Sequence, residues 1–328
     1  MSNLSVNTKV RCVSALFLLL GSIGAICQTA ADGPARGRIR ERVIEKLQDD
    51  MIDRDTALIE ANLPAGVKVE HNVYYGTDRR QCFDVYIPEH AKNAPVIFMV
   101  HGGAWIVGDK AMTNVVEKKV ARWTPRGFIF ISTNYRMLPD ADPIEQAGDV
   151  VSAMAAAQER AESWGGDRNK FILMGHSAGA HLISLVATSS QLSAKLVKTP
   201  WLGAVSLDSA AYDVVKIMEN PHLRLYDIAF GNHDRKYWQA ASPFYALTKN
   251  TKPVLAVCSS RRKDSPEQAR LFAEKATSYG NRVTVLEKDF THAEINARLG
   301  ADEVYTREVE TFLAGLNESV ANLLGRKQ

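Results

Sequence analysis

The sequence carries little that would bind a metal, a nucleic acid or a membrane along most of its length. Neither CxxC nor HExxH occurs, so the ligand spacings of common zinc sites are missing and no metal is expected. There are four cysteines, Cys12, Cys27, Cys82 and Cys258. The first two fall in an N-terminal apolar run. Cys82 and Cys258 sit in strand-like stretches and are expected as buried free thiols rather than a disulfide framework. No charge of one sign dominates: 40 basic and 37 acidic residues leave a formal +3 over 328 residues. That near balance excludes an electrostatic basis for a nucleic-acid partner or for strong attraction to a membrane surface. Heptads, internal repeats and low-complexity tracts are missing too, which removes coiled-coil and solenoid architectures.

What is present begins with a targeting signal. Lys9 and Arg11 precede the apolar run 12–27, and the small residues of "QTAADG" follow it. The run is shorter than the about 20 residues of a membrane span. Basic flank, short apolar core and small residues predict a secretory signal peptide over 1–31 with export to a periplasm or medium, and no stable span after cleavage. The competing reading is an uncleaved N-terminal anchor, and a lipoprotein anchored at Cys27 is a minor alternative. Residues 32–328 are expected to form a single domain.

A polar helical stretch covers 36–63. The runs 67–76 and 81–88 flank the turn "GTDRR" and predict a hairpin. From there, continuous apolar strands ("APVIFMV", "GFIFIST", "KFILMG", "WLGAVSL", "KPVLAVCSS", "NRVTVLEK") alternate with helical spacing. This predicts an α/β protein with a mainly parallel sheet covered on both faces. Residues 209–250 interrupt the alternation, with many aromatics and prolines. They are expected to form, with 36–63, a small helical cap over the functional edge.

One strand ends in "GHSAG", residues 175–179, and a helix follows at once. A G-x-S-x-G joint of this kind strains the serine backbone and lifts the Ser177 hydroxyl above the sheet edge, where a nucleophile is needed. The competing reading of the same residues is a helix entry capped by Ser177. A second feature, "HGGAW" at 101–105, ends an earlier strand. Its unshielded amides at Gly102, Gly103 and Ala104, with that of Ala178, suit an oxyanion. "GAWIVGDK" has the glycine spacing of a phosphate loop, but Asp109 stands where lysine is required, so nucleotide binding is rejected.

In this order and on successive strand ends, "HGGAW" and "GHSAG" resemble the α/β-hydrolases of the hormone-sensitive-lipase-like esterases. They also resemble kynurenine formamidase. The resemblance implies the α/β-hydrolase fold, a Ser–His–acid triad in chain order, and no cofactor. It implies His292, beyond the last strand in "DFTHAEIN", as the base. It implies Asp264, after "KPVLAVCSS", as the acid, with Asp208 and Glu267 as rivals. Trp105 and Tyr212 are expected as walls of the substrate pocket. The expected activity is hydrolysis of short-chain or small aromatic carboxylic esters through an acyl-enzyme, with a small-molecule ester as partner and the oligomeric state left open. Arylformamide hydrolysis is the alternative, and a catalytically inactive hydrolase-fold binding protein stands behind it.

Overall fold

The structure, a computed structural model, describes residues 50–194 and 199–325. The expected leader at 1–31, Cys27 and the first half of 36–63, residues 36–49, lie outside the described residues. The chain divides into the units Met1–Asp53 and Arg54–Gln328, and everything that positions the site belongs to the second.

Eight strands make one sheet: β1 (Val67–Tyr74), β2 (Cys82–Pro88), β3 (Ala94–Val100), β4 (Ile129–Thr133), β5 (Gly166–His176), β6 (Gly203–Leu207), β7 (Val254–Ser259) and β8 (Val283–Lys288). Their order is β1-β2-β4-β3-β5-β6-β7-β8. β1 and β2 form the expected antiparallel hairpin, β2 pairs antiparallel with β4, and every pair from β4 to β8 is parallel. The principal helices are α1 (Thr113–Trp123), α2 (Pro143–Arg160), α3 (Ala178–Thr188), α4 (Asp264–Ser278), α5 (His292–Ala297), α6 (Glu303–Ala314) and α7 (Glu318–Gly325).

The strands read as unbroken apolar runs because neither face meets water. In β3, Val96, Phe98 and Val100 enter one apolar cluster, while Ile97 and Met99 enter another. In β5, Phe171 and Leu173 point one way, Ile172 and Met174 the other. Successive side chains of a strand alternate faces, so two covered faces need apolar residues at every position. α2, α3 and α4 cover the first face; α1, α5 and α6 cover the second. α2 starts where the sequence signals it. Asp142 accepts from the amides of Ile144 and Glu145, the Glu145 side chain reaches back to Asp142, and Pro143 holds the first helical position.

Between β6 and β7, short helices at Val214–Met218, Arg224–Phe230, Arg235–Ala240 and Pro243–Ala246 form the expected cap. They pack through Tyr212, Val214, Tyr226 and Phe230 onto the first face. The described end of the N-terminal stretch does not join them. Its Ile59 sits with Val115 and Trp123 on the opposite face, and Asp55 accepts from the first amide of α1. Aliphatic spacing alone does not say which face of a sheet a helix will cover.

Candidate active site

Ser177 occupies the joint between β5 and α3 with φ +56° and ψ −118°. A non-glycine residue in such a conformation is held by its surroundings at a cost of roughly 1–3 kcal/mol. Its side chain makes no capping hydrogen bond to α3, which removes the helix-cap reading and leaves the hydroxyl free. Its amide donates to Leu207 O at 2.9 Å. The flanking glycines are forced by crowding. A Cβ on Gly175 would lie 2.5 Å from Gly179 O, and one on Gly179 would lie 2.3 Å from Val100 O.

The turn after β3 lies against this joint. A Cβ on Gly102 would come within 2.9 Å of Ser177 Cβ. Gly103 has φ +134°, and its missing Cβ would meet Val107 O at 1.7 Å. Ala104 and Trp105 continue the turn at φ +53° and +64°. Among the described residues, the amides of Gly103 and Ala104 donate to no protein acceptor. Ala178 opens α3, so its amide has no partner one turn back. The expected donors are therefore brought beside Ser177 and left unsatisfied.

His292 is the first residue of α5, which Thr291 and Glu294 close with a capping box. Its Nδ1 lies 2.5 Å from Asp208 Oδ2, and the His292 ring lies 4.5 Å from the His176 ring. Asp208 follows β6 with φ +56°. Its Oδ1 accepts from the Ser259 amide at 2.8 Å and Ser265 Oγ at 2.6 Å. Its Oδ2 accepts from Arg262 Nη1 at 3.0 Å as well as from His292. Burial alone would raise this carboxyl. The hydrogen bond and charge of His292, then the Arg262 guanidinium, outweigh it and hold Asp208 well below the usual carboxylate range.

Asp264 is not brought to His292. It stands at the start of α4, its side chain 46% exposed, gripped by Arg262 Nε at 3.1 Å and Nη2 at 2.8 Å. The acid expected from the sequence is corrected to Asp208 as the carboxylate on the imidazole. Both aspartates follow strands that end at the same sheet edge. Asp208 directly follows β6 and is buried, with φ +56°, whereas Asp264 lies five residues beyond the end of β7 and is half-exposed. Glu267, the other rival, pairs with Lys216.

Two expected pocket walls are corrected as well. Trp105 is 3% exposed. It packs edge-on to Phe230 at 5.1 Å and donates to His181 Nδ1 at 3.2 Å. Tyr212 is fully buried, stacked on Phe272 at 4.7 Å, with its hydroxyl 2.7 Å from Ser206 Oγ. Both pack the cap onto the sheet. His181 is caught between Trp105 and the cap, its Nε2 2.7 Å from Ala241 O. Burial pushes this imidazole down to about 4, so it is neutral, donating from Nε2 and accepting at Nδ1. A cavity of about 440 Å³ between the cap and α4 is lined by residues including His222, Leu223, Tyr226, Asp264 and Gln268, and by neither Ser177 nor His292.

Sequence reasoning missed Arg262, Ser265 and His176. His176 Nε2 lies 3.0 Å from His292 O. Its position in "GHSAG" was visible, but its partner lies 116 residues away. Cys82 and Cys258 are free and buried. Among the described residues, no group of three or more His, Cys, Asp or Glu could hold a metal ion, and no helix is long and apolar enough to cross a membrane.

A family model described as BD-FAE matches residues 83–275. Esterase LipC of Mycobacterium tuberculosis is 30% identical over 218 residues, which cover 62% of this chain and 54% of LipC. A probable isoprenylcysteine alpha-carbonyl methylesterase ICME of Oryza sativa subsp. japonica is 36% identical over 116 residues, 35% of this chain and 27% of that protein. The chain thus spans about half or less of the length of these curated relatives. Esterase B of Lactobacillus rhamnosis superposes with a TM-score of 0.66 at 18% identity, covering 89% of this chain and 100% of that one. At that identity the likeness carries the α/β-hydrolase fold.

Proposed function

The chain belongs to the BD-FAE family, and from that premise we propose that it is a serine carboxylesterase working through Ser177, His292 and Asp208. The observation that carries the reading is the strained, uncapped Ser177 beside the crowded glycine turn, with the His292 imidazole, held by a buried carboxylate, 4.5 Å from the ring of its neighbour His176. Ser177 Oγ attacks the ester carbonyl while His292 Nε2 takes its proton. Asp208 fixes the Nδ1–H tautomer and stabilises the imidazolium that forms. The amides of Gly103, Ala104 and Ala178 receive the developing oxyanion, with Gly102 giving the close approach. His292 then returns its proton to the departing alcohol. A water, deprotonated by the same imidazole, releases the acid and restores Ser177.

Small esters fit this reading. The substrates remain the short acyl or small aromatic esters expected from the aromatic-rich cap segment 209–250. Export rests on the composition of residues 1–31 and is read by N-terminal sequencing of the mature protein.

The test is a fluorophosphonate label combined with a p-nitrophenyl ester series from acetate to palmitate, with N-formylkynurenine added. The label is expected on Ser177, Ser177→Ala to lose both label and turnover, and acetate or butyrate to give the highest kcat/KM. Turnover surviving in Ser177→Ala would remove the serine-hydrolase reading. N-formylkynurenine as best substrate would move it to amide hydrolysis.

A further inference from the structure

α5 carries the base, yet it has six residues, His292–Ala297. A helix this short has no stability of its own, so its position is set from outside. Its N-terminus is held by the His176–His292 carbonyl contact already described. Its last turn has carbonyls with no intrahelical partner, and these are held by groups on other elements. Tyr305 Oη, from α6, donates to Ile295 O at 3.0 Å. Lys119 Nζ, from α1, donates to Asn296 O at 2.9 Å and to Asn114 O at 3.3 Å. Asn296 Nδ2 returns a bond to Asn114 O at 3.0 Å.

Lys119 is out of place by ordinary rules. It is 1% exposed, points into the core where a helix usually carries leucine or methionine, and has no carboxylate within ion-pair distance among the described residues. Burying an unpaired ammonium is expensive, and burial pushes this one down to about 7. The group it serves is a helix C-terminus, where carbonyl dipoles favour a cation.

We infer that Lys119 is a positioning residue, which holds His292 in register with Ser177 through the carbonyl of Asn296. The inference rests on the esterase reading for its rate consequences. Lys119 touches no reacting atom. Without it the last turn of α5 loses the Nζ donor on its Asn296 carbonyl, and the imidazole at the first turn swings relative to the fixed serine. A displacement of about 1 Å at a reacting group can cost about 10²-fold.

The experiment compares wild type with Lys119→Met, which keeps the length and removes the donors. Active sites are titrated with a fluorophosphonate, and kcat and KM for p-nitrophenyl acetate are measured per titrated site. In parallel, the low-field proton resonance of the His292–Asp208 hydrogen bond is recorded by NMR. The expected result is a fall in kcat of about 10- to 100-fold, KM within about twofold, and a broadened or shifted resonance. If Lys119→Met does not fold, Lys119→Gln keeps a donor and is expected to show a smaller loss of the same kind. In whichever variant folds, wild-type kcat per titrated site with an unchanged resonance would overturn the inference, whatever happens to Tm. If wild type turns over no ester, the proposed activity falls, while the resonance still decides the role of Lys119.

Discussion

Asparagine at position 208 is the sharpest perturbation of the site. The Asp208 carboxylate faces donors on every side: the Ser259 amide and Ser265 hydroxyl at Oδ1, and His292 Nδ1 and Arg262 Nη1 at Oδ2. An amide has one accepting oxygen and one donating nitrogen. Either orientation therefore sets its NH2 against a donor. The Ser259 amide is backbone and cannot yield. On the other side, Arg262 can lean onto Asp264, which it already holds at 2.8 Å, and His292 can change tautomer. The NH2 thus turns toward His292, whose proton moves to Nε2, where it blocks abstraction from Ser177. Loss of a correctly oriented tautomer costs about 10⁴-fold in kcat. Asp264→Asn breaks only a half-exposed pair, worth about 0.2–1 kcal/mol, which at 1.36 kcal/mol per decade is under about fivefold. The assay is kcat for p-nitrophenyl acetate per fluorophosphonate-titrated site. Asp208→Asn within tenfold of wild type, or Asp264→Asn the more damaged, would refute the reasoning.

Thermal stability should fall in mild acid. His101 and His181 are buried neutral, each pushed by burial from 6.5 down to about 4. Below pH 6.5 the unfolded chain takes up protons that the folded one refuses, so stability present above that pH is lost as the pH falls toward 4. The loss is up to roughly 3 kcal/mol per histidine. Scanning calorimetry from pH 7.5 to 4.5 is expected to show the decline, and His181→Gln, which keeps both hydrogen-bonding roles, to show a shallower one; equal slopes would place the acid sensitivity elsewhere. Gly103→Ala should lose about 3 kcal/mol or more, because its Cβ would fall 1.7 Å from Val107 O. Turnover should vanish with the turn, and near-normal Tm and activity would show that the turn can be remade.

The sheet was legible because burial on both faces writes itself into composition. "APVIFMV" and "KFILMG" admit few readings other than inner strands. Ser177 and the Gly102–Ala104 turn were legible for a related reason: backbone crowding leaves glycine as the tolerated residue at fixed spacings. The acid was not. Asp208 and Asp264 both follow inner strands, and burial and partners, which local sequence does not carry, distinguish them. Trp105 and Tyr212 failed differently. An aromatic in a cap has the same appearance whether its ring faces solvent or packs downward, and here the partners Phe230 and Phe272 decided it. His176, Lys119 and Arg262 act through partners distant in the chain, which local pattern does not reveal.

The functional groups are spread along the order of synthesis. Gly103 follows β3, Ser177 follows β5, Asp208 follows β6, and His292 comes only after β8, the strand at the sheet's edge. A nascent chain that has emerged as far as Lys288 can hold the strained serine and the oxyanion turn, yet it has no base. In order of synthesis the proposed nucleophile therefore precedes its proposed base by the whole of β6, β7 and β8. If His292 is the base, loosening where the chain leaves that edge strand would disturb it before the inner strands open, and loss of turnover would then report edge integrity rather than global unfolding.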